Sequence, residues 1–277
     1  MVADPVHKQV QLSAGDTTYR VDGDPDAPLL LLVHGATVPA WEFDRVVPFL
    51  VDAGFRCLRF DLFGHGSSAR PQRPHDYRLF TEQTAELLAA LGVDRVHGVI
   101  GHSLGAAITT HLAIADQLPG ARLALVAPLL DFVGPNPALR LVTAPGLGEL
   151  LMPTVVLPAL VRRRTKRYQS LDDGRFVGLF HQQLARPGFG RSLLSLLRHG
   201  ALADQSASYA ALATTEHPAL LIRGSDDTIV PEHQLHTVQT LIGRAECDEV
   251  DGTGHALLLT HPESIAPRLI EFFSVPS

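Results

Sequence analysis

The chain has 277 residues, of which 45% are hydrophobic and 19% are charged, and its net charge is −6. This apolar share supplies a large core and excludes an intrinsically disordered protein, and the acidic balance argues against a nucleic-acid partner. No run of 18 apolar residues occurs, and the N-terminus lacks the apolar stretch of a signal peptide. We therefore expect no membrane span and a cytoplasmic protein.

Short aliphatic runs bounded by Gly, Pro or Asp predict strands that are buried on both faces. After short opening strands around Val10 and Tyr19, these runs are 29–33, 56–60, 96–100, 121–126, 219–223 and, more weakly, 246–250. Helical spacing fills the gaps, with one helix expected to be N-capped by Thr81 and a last one to open at Pro262. The alternation predicts an α/β fold with a doubly wound, mostly parallel sheet.

Residues 130–207 interrupt this alternation with helical rather than strand character, which predicts an inserted helical segment, here called the cap. The remaining core is 1–129 and 208–277. Within the cap, the apolar segment 150–161 runs directly into the basic cluster 162–167. This pattern fits a membrane-surface helix. We favour a cap helix whose apolar side faces a pocket and whose arginines lie in solvent, because Pro153 and Pro158 would disrupt a long interfacial helix.

The strongest chemical signal is the pentapeptide Gly101-His102-Ser103-Leu104-Gly105, which follows a predicted strand and precedes a helical pattern. This is the context of a G-x-S-x-G nucleophile elbow, in which glycines on both sides let strand and helix approach closely. The sequence therefore predicts Ser103 as a nucleophile. We interpret His102 as structural, because neighbouring side chains at such a turn point apart.

A serine nucleophile needs a base, and the base needs an acid to orient it. Asp226 and Asp227 follow the strand that ends at Arg223, and His255 follows the last predicted strand. Both loops lie where the carboxyl ends of parallel strands place catalytic residues. The sequence predicts His255 as the base and either Asp226 or Asp227 as the acid.

The backbone amides of Ala36, in the turn after the first long strand, and of Leu104 are candidates for an oxyanion hole. His233 and His236 lie three residues apart on a helical pattern, but no third ligand is near in the sequence, so we predict no metal site. The predicted chemistry requires no cofactor.

Taken together, these segments resemble the α/β-hydrolase fold superfamily, in its esterase- and lipase-like group. The matching segments are 34–36, 61–68, 101–105, 224–231 and 254–255. The resemblance implies that Asp227, in the pattern G-x-x-D-x-I-V-P, is the acid, and that 130–207 is a helical cap over the pocket. Epoxide hydrolases and dehalogenases of this superfamily carry an aspartate where Ser103 stands, so those activities are not expected.

The sequence thus predicts a serine hydrolase that cleaves a carboxylic ester of a small molecule through an acyl-enzyme. Apolar cap residues favour a hydrophobic substrate, although the same residues could instead hold the cap to the core; they are Leu129, Leu130, Phe132, Leu147, Leu150, Leu151, Val155 and Leu157. A carbon–carbon bond hydrolase for ring-cleavage products is an alternative, weakened because Ala256 rather than Trp follows His255. A ligand-binding protein without catalysis is a second alternative.

Overall fold

The computed structural model describes residues 7–134 and 136–275, and its centre is one eight-stranded sheet. The strands are β1 Lys8–Leu12, β2 Gly15–Asp22, β3 Leu29–Val33, β4 Arg56–Phe60, β5 Gly98–His102, β6 Arg122–Val126, β7 Ala219–Gly224 and β8 Glu246–Val250. Their spatial order is β1-β2-β4-β3-β5-β6-β7-β8, and the pairs from β4 through β8 are parallel. The predicted mostly parallel sheet is therefore confirmed, with β1 and β2 as antiparallel strands at one edge.

Alternate residues of the central strands enter two different hydrophobic cores. Leu31 and Val33 of β3 pack with one set of helices, whereas Leu30 and Leu32 pack with the other. The helices of the sheet region are α1 Val47–Asp52, α2 Tyr77–Ala90, α3 Leu104–Ile114, α10 Glu232–Ile242, α11 Leu257–Thr260 and α12 Pro262–Ser274. Helices α2, α3 and α10 cover one face, and α1 and α12 cover the other, so the sheet is doubly wound.

The stretch between β6 and β7 is helical. Its helices are α4 Pro137–Thr143, α5 Leu147–Leu151, α6 Leu157–Tyr168, α7 Arg175–Ala185, α8 Phe189–Arg198 and α9 Ser206–Leu212. A wider π-helical turn, Met152–Val156, joins α5 to α6. Helix α9 packs on α3 and α10, next to the sheet. The bounds of the cap at 130 and 207 stay a prediction.

The prolines of the cap do not break its long helix. Residues 147–168 form one continuous helical run, with Pro153 inside the π-helical turn. In the described part of the chain no single helix is long and apolar enough to cross a bilayer, and only α4 counted together with the 147–168 run meets that test. The reason we gave against an extended surface helix is therefore wrong.

Several apolar cap residues also lie elsewhere than expected. Leu150 is 61% exposed and Val155 is 56% exposed, so these side chains face outward rather than into a pocket. Leu129 and Leu130 are buried in the core beside the sheet. The cap helix consequently has apolar side chains on an outer face as well as on an inner one.

The structure also corrects the start of one helix. Helix α2 begins at Tyr77, and the carboxylate of Asp76 accepts a hydrogen bond from the amide of Leu79 at 3.0 Å. Thr81, which we expected to be the N-cap, lies within the helix and bonds the carbonyl of Arg78. An aspartate satisfies the free amides of a first helical turn as well as a threonine does, so the helix starts one turn earlier.

Candidate active site

Ser103 stands between β5 and α3 in a strained backbone conformation, with φ 54° and ψ −113°. Such a conformation costs a non-glycine residue about 1–3 kcal/mol. A Cβ atom on Gly101 would lie 2.5 Å from the hydroxyl of Thr109, and one on Gly105 would overlap the carbonyl oxygen of Val33. Glycine at both positions therefore lets the strand and the helix meet with Ser103 at the tip of the turn.

The structure brings three predicted side chains together at the carboxyl ends of β5, β7 and β8. The Nε2 atom of His255 lies 3.2 Å from the Oγ of Ser103, and its Nδ1 atom lies 2.8 Å from the Oδ2 of Asp227. Asp226 is exposed, and its amide donates to the carbonyl of Thr253 at 2.8 Å. That bond ties the β7 loop to the β8 loop, and it leaves Asp227 rather than Asp226 beside the histidine.

The carboxylate of Asp227 is bound on both of its oxygens. While Oδ2 faces His255, Oδ1 accepts hydrogen bonds from the amides of Ile229 at 2.8 Å and Val230 at 3.0 Å. Burial by itself would raise the pKa of Asp227, but the hydrogen bond and charge of His255 and these two amides outweigh it, so the pKa is lowered. The residue is therefore an anion that holds the imidazole in one orientation.

His255 is available as a neutral base. Burial lowers its pKa below the ordinary histidine value, and the charge of His102 acts in the same direction, against the hydrogen bond to Asp227. Because Nδ1–H donates to Asp227, the lone pair of Nε2 faces the hydroxyl of Ser103. This arrangement can accept a proton from the serine when the serine attacks.

His102 is part of the site's framework. Its Nε2–H donates to the carbonyl oxygen of His255 at 2.8 Å, and its Nδ1 lies 2.9 Å from a carboxylate oxygen of Glu42, an ion-pair contact outside ideal hydrogen-bond direction. Burial opposes the charge on His102, but Glu42 outweighs burial and raises the pKa. The other oxygen of Glu42 accepts from the amide of Gly35 at 3.1 Å. This buried pair therefore links the turn after β3, the elbow and the histidine loop.

The turn after β3 lies directly beside the nucleophile. A Cβ atom on Gly35 would be 3.4 Å from the Cβ of Ser103, so the backbone passes the serine at close range. Leu104 is the first residue of α3, and the amide of a first helical residue has no carbonyl partner within its helix. The dipole of α3 adds partial positive charge at the same point.

Side chains from two directions hold this turn in place. The ring of His65 donates to the carbonyl oxygen of Ala36 at 2.6 Å. From cap helix α7, the amide group of Gln183 donates to the carbonyl oxygen of Thr37 at 2.9 Å. The backbone around Ala36 is thus fixed before any ligand arrives, as preorganised donors require.

The three side chains are enclosed: Ser103 is 6% exposed, Asp227 is 3% and His255 is 5%. A cavity of about 740 Å³ lies between the cap and residues 72–74, and none of these three side chains lines it. The three side chains therefore lie under the cap and apart from this cavity.

Sequence reasoning missed Glu42, His65 and Gln183, which contact the site only because the fold brings distant segments together. No motif marks Glu42 or Gln183, and His65 lies in the matching segment 61–68 without having been assigned a role. In the described ranges, 7–134 and 136–275, no cluster of three or more His, Cys, Asp or Glu side chains could hold a metal ion. His233 and His236 are exposed on α10.

The comparisons with known proteins agree with this fold. A model of the alpha/beta hydrolase family matches residues 30–268, so the chain belongs to that family. It is 28% identical to a non-heme chloroperoxidase of Streptomyces lividans, over 95% of this chain and 98% of that one. It is 27% identical to a bifunctional esterase/perhydrolase of Acinetobacter calcoaceticus, over 93% and 95%. A bromoperoxidase structure from Bacillus anthracis superposes with a TM-score of 0.81 at 18% identity, covering 98% and 100%.

Proposed function

We propose that the protein is a serine hydrolase that cleaves a carboxylic ester through an acyl-enzyme, with Ser103, His255 and Asp227 as its catalytic residues. The observation that carries this proposal is the continuous hydrogen-bonded chain from the Oγ of Ser103 through His255 to Asp227. A buried serine whose hydroxyl faces an oriented neutral imidazole is the arrangement that activates this weak nucleophile.

In the first half of the reaction, the Oγ of Ser103 attacks the ester carbonyl while Nε2 of His255 takes its proton. The carbonyl oxygen becomes an anion, which the amides of Ala36 and Leu104 stabilise. The tetrahedral intermediate then collapses. The carbon–oxygen bond to the alcohol breaks, the alcohol leaves with the proton from His255, and an acyl group remains on Ser103.

In the second half, His255 takes a proton from a water molecule as that water attacks the acyl group. The new intermediate collapses in the same oxyanion site, the bond to Ser103 breaks, and His255 returns the proton to the serine oxygen. The carboxylic acid is released, so the sum is ester plus water to acid plus alcohol. Asp227 stays ionised throughout and stabilises the imidazolium.

The surroundings of the triad favour a substrate with a hydrophobic part. A small apolar cluster adjoins the triad, because it includes Ala256, the residue that follows His255; its buried members are Val38, Tyr168, Phe176, Ala256 and Leu259. Apolar walls with few polar groups are typical of sites for small organic molecules.

Turnover of a series of p-nitrophenyl esters of increasing acyl length tests this proposal, with the Ser103→Ala variant beside the wild type. We expect hydrolysis by the wild type and a loss of several orders of magnitude in the variant, because no other group can form the acyl-enzyme. Equal rates in the two proteins would contradict the proposal. Hydrolysis of a ketone-dienoate but of no ester would instead favour the carbon–carbon bond hydrolase.

A further inference from the structure

Arg164, on cap helix α6, contacts the turn after β3. We propose that Arg164 is a specificity-determining residue that binds a carboxylate carried by the substrate, an inference that rests on the proposed ester hydrolysis. The substrate class is then an ester with a second, ionised carboxyl group, whose remaining part contacts the apolar cluster.

Arg164 reaches from α6 to the edge of the site. One guanidinium nitrogen donates to the hydroxyl of Thr37 at 2.7 Å, and Thr37 directly follows Ala36. A second nitrogen donates to the hydroxyl of Tyr168 at 3.0 Å. Tyr168 is fully buried in the same apolar cluster as Ala256, which directly follows His255. The guanidinium therefore lies beside the turn that carries the proposed oxyanion donor Ala36. Through Tyr168 it also borders the apolar cluster that contains Ala256.

The charge of Arg164 is not neutralised by the protein. Within the described part of the chain, no ion pair includes Arg164, and both of its hydrogen-bond acceptors are uncharged hydroxyls. The positive charge is also felt in the site. Burial is the main cause that lowers the pKa of His255, and Arg164 lowers it further.

Several other buried or half-buried arginines of this protein have carboxylate or carbonyl partners, although half-buried Arg167 forms no ion pair or hydrogen bond in the described part of the chain. Arg59 and Arg198 are bound by carboxylates. Arg45 and Arg122 lack a carboxylate but donate to backbone carbonyl oxygens. Arg164 has neither kind of partner, and a half-buried cation bound only by hydroxyls is incompletely compensated.

The chemistry of this position suits a carboxylate. A guanidinium offers parallel N–H donors that match the two oxygens of a carboxylate. The hydroxyl of Thr37 now accepts from Arg164, so its own proton is free to be donated to an anion beside it. The sequence interpretation placed all the arginines of the basic cluster in solvent. That holds for Arg162 and Arg163, whereas Arg164 and Arg167 are half-buried. Arg164 reaches the turn beside the site through its hydrogen bond to Thr37.

The test compares esters that differ only in an ionised carboxyl group. Monomethyl succinate, glutarate and adipate carry the charge on the acyl side, and their neutral counterparts are methyl butanoate, pentanoate and hexanoate. Acetoxyacetate and ethyl acetate form the matching pair with the charge on the alcohol side. Hydrolysis is followed as acid release at constant pH, and the readout is the ratio of kcat/KM for the charged ester to that for the neutral one.

We expect this ratio to exceed one for at least one pair in the wild type, and Arg164→Met to lower it about 10- to 100-fold, the loss typical of a charge-assisted hydrogen bond. Arg164→Lys should restore part of the ratio. Arg163→Met is the matched control, because it removes the same charge from an exposed neighbour. An equal ratio in Arg164→Met and Arg163→Met would overturn the inference, as would a wild type with no preference in any pair.

A binding measurement separates this inference from the proposed reaction. In the Ser103→Ala background, we expect an NMR titration with each of the charged esters to detect binding of at least one of them, and we expect Arg164→Met to abolish that binding. If no ester is hydrolysed by the wild type, the proposed reaction fails, and this titration still decides the role of Arg164. Unchanged binding after Arg164→Met would contradict that role.

Discussion

The catalytic end of the sheet and the cap above it are held in different ways. At the sheet, strained or glycine-dependent turns and fully bonded side chains fix Ser103, Asp227 and His255, each of which is at most 6% exposed. The cap is joined to this end of the sheet by side chains of its helices. Arg164 donates to the hydroxyl of Thr37 and Gln183 to its carbonyl oxygen, in the turn after β3. In the proposed function, the core accordingly carries the reaction and the cap selects the substrate.

The largest expected effect concerns the acid of the core. Asp227→Asn should lower kcat about 10³- to 10⁴-fold, because an amide at this place no longer stabilises the imidazolium or fixes the correct tautomer of His255. Steady-state kinetics on any ester that the wild type hydrolyses measures this. Asp226→Asn is the matched control, since the side chain of Asp226 is exposed and the Nδ1 of His255 is bound by Asp227 instead.

If kcat falls as much in Asp226→Asn as in Asp227→Asn, the resemblance to the family placed the acid at the wrong residue. The rate should also be insensitive to Arg163→Met, because that charge lies on the outer side of the cap.

Substitutions at two glycines, one in the sheet region and one in the cap, test how tightly these regions are packed. Gly105→Ala should destabilise the fold by more than about 2 kcal/mol, because its Cβ would overlap the backbone carbonyl of Val33. Gly178 lies inside α7 with no atom within 4 Å of its ideal Cβ, so Gly178→Ala should stabilise by about 0.5–1 kcal/mol. Chemical denaturation of both variants gives the two free energies of unfolding. A loss at Gly178 as large as that at Gly105 would contradict the contrast.

The smallest effect is a shift along the pH axis. In the proposed mechanism the base works as neutral imidazole, so we expect activity to be lost as the pH falls through the pKa of His255, which burial places below the ordinary histidine value. The groups that act on it are Asp227, His102 and Arg164, and the positive charge of His102 lowers the pKa. His102→Gln removes that charge, so the pKa of His255 should rise and the acid limb of kcat/KM should move to higher pH.

The matched control for this shift is His236→Gln. His236 also faces a carboxylate, that of Glu232 at 3.2 Å, but this pair is exposed on α10. His236→Gln should therefore leave the pH profile of kcat/KM unchanged. If the acid limb of kcat/KM in His102→Gln stays where it is in the wild type, the pair of His102 and Glu42 only positions the backbone and does not affect the pKa of His255.

The contrast between the sheet and the cap also explains which features could be predicted from the sequence alone. Buried parallel strands leave continuous aliphatic runs, and the elbow needs glycines at fixed spacing, so β3 to β8 and the place of Ser103 were readable. The choice between Asp226 and Asp227 came only from the resemblance to the family. Local spacing does not tell which of two adjacent carboxylates faces another loop.

The interior of the site could not be predicted in this way. Glu42 lies in a short 3-10 turn, 40–43, without periodicity. Its hydrogen bond to Gly35 and its ion-pair contact with His102 depend on how this turn packs on the sheet. In the cap, helices with apolar residues all round do not reveal which face is outward, which is why Leu150 and Val155 were placed wrongly. The inward direction of Arg164 is visible only once Tyr168 and Thr37 are in contact with it.

The most direct measurement of the central claim is intact-protein and peptide mass spectrometry of the enzyme quenched with acid during turnover of a slowly deacylated ester. We predict that the protein gains the mass of one acyl group, that the peptide containing Ser103 carries it, and that Ser103→Ala gains none. Acylation of a different residue, or full turnover with no acyl group on Ser103, would contradict the account.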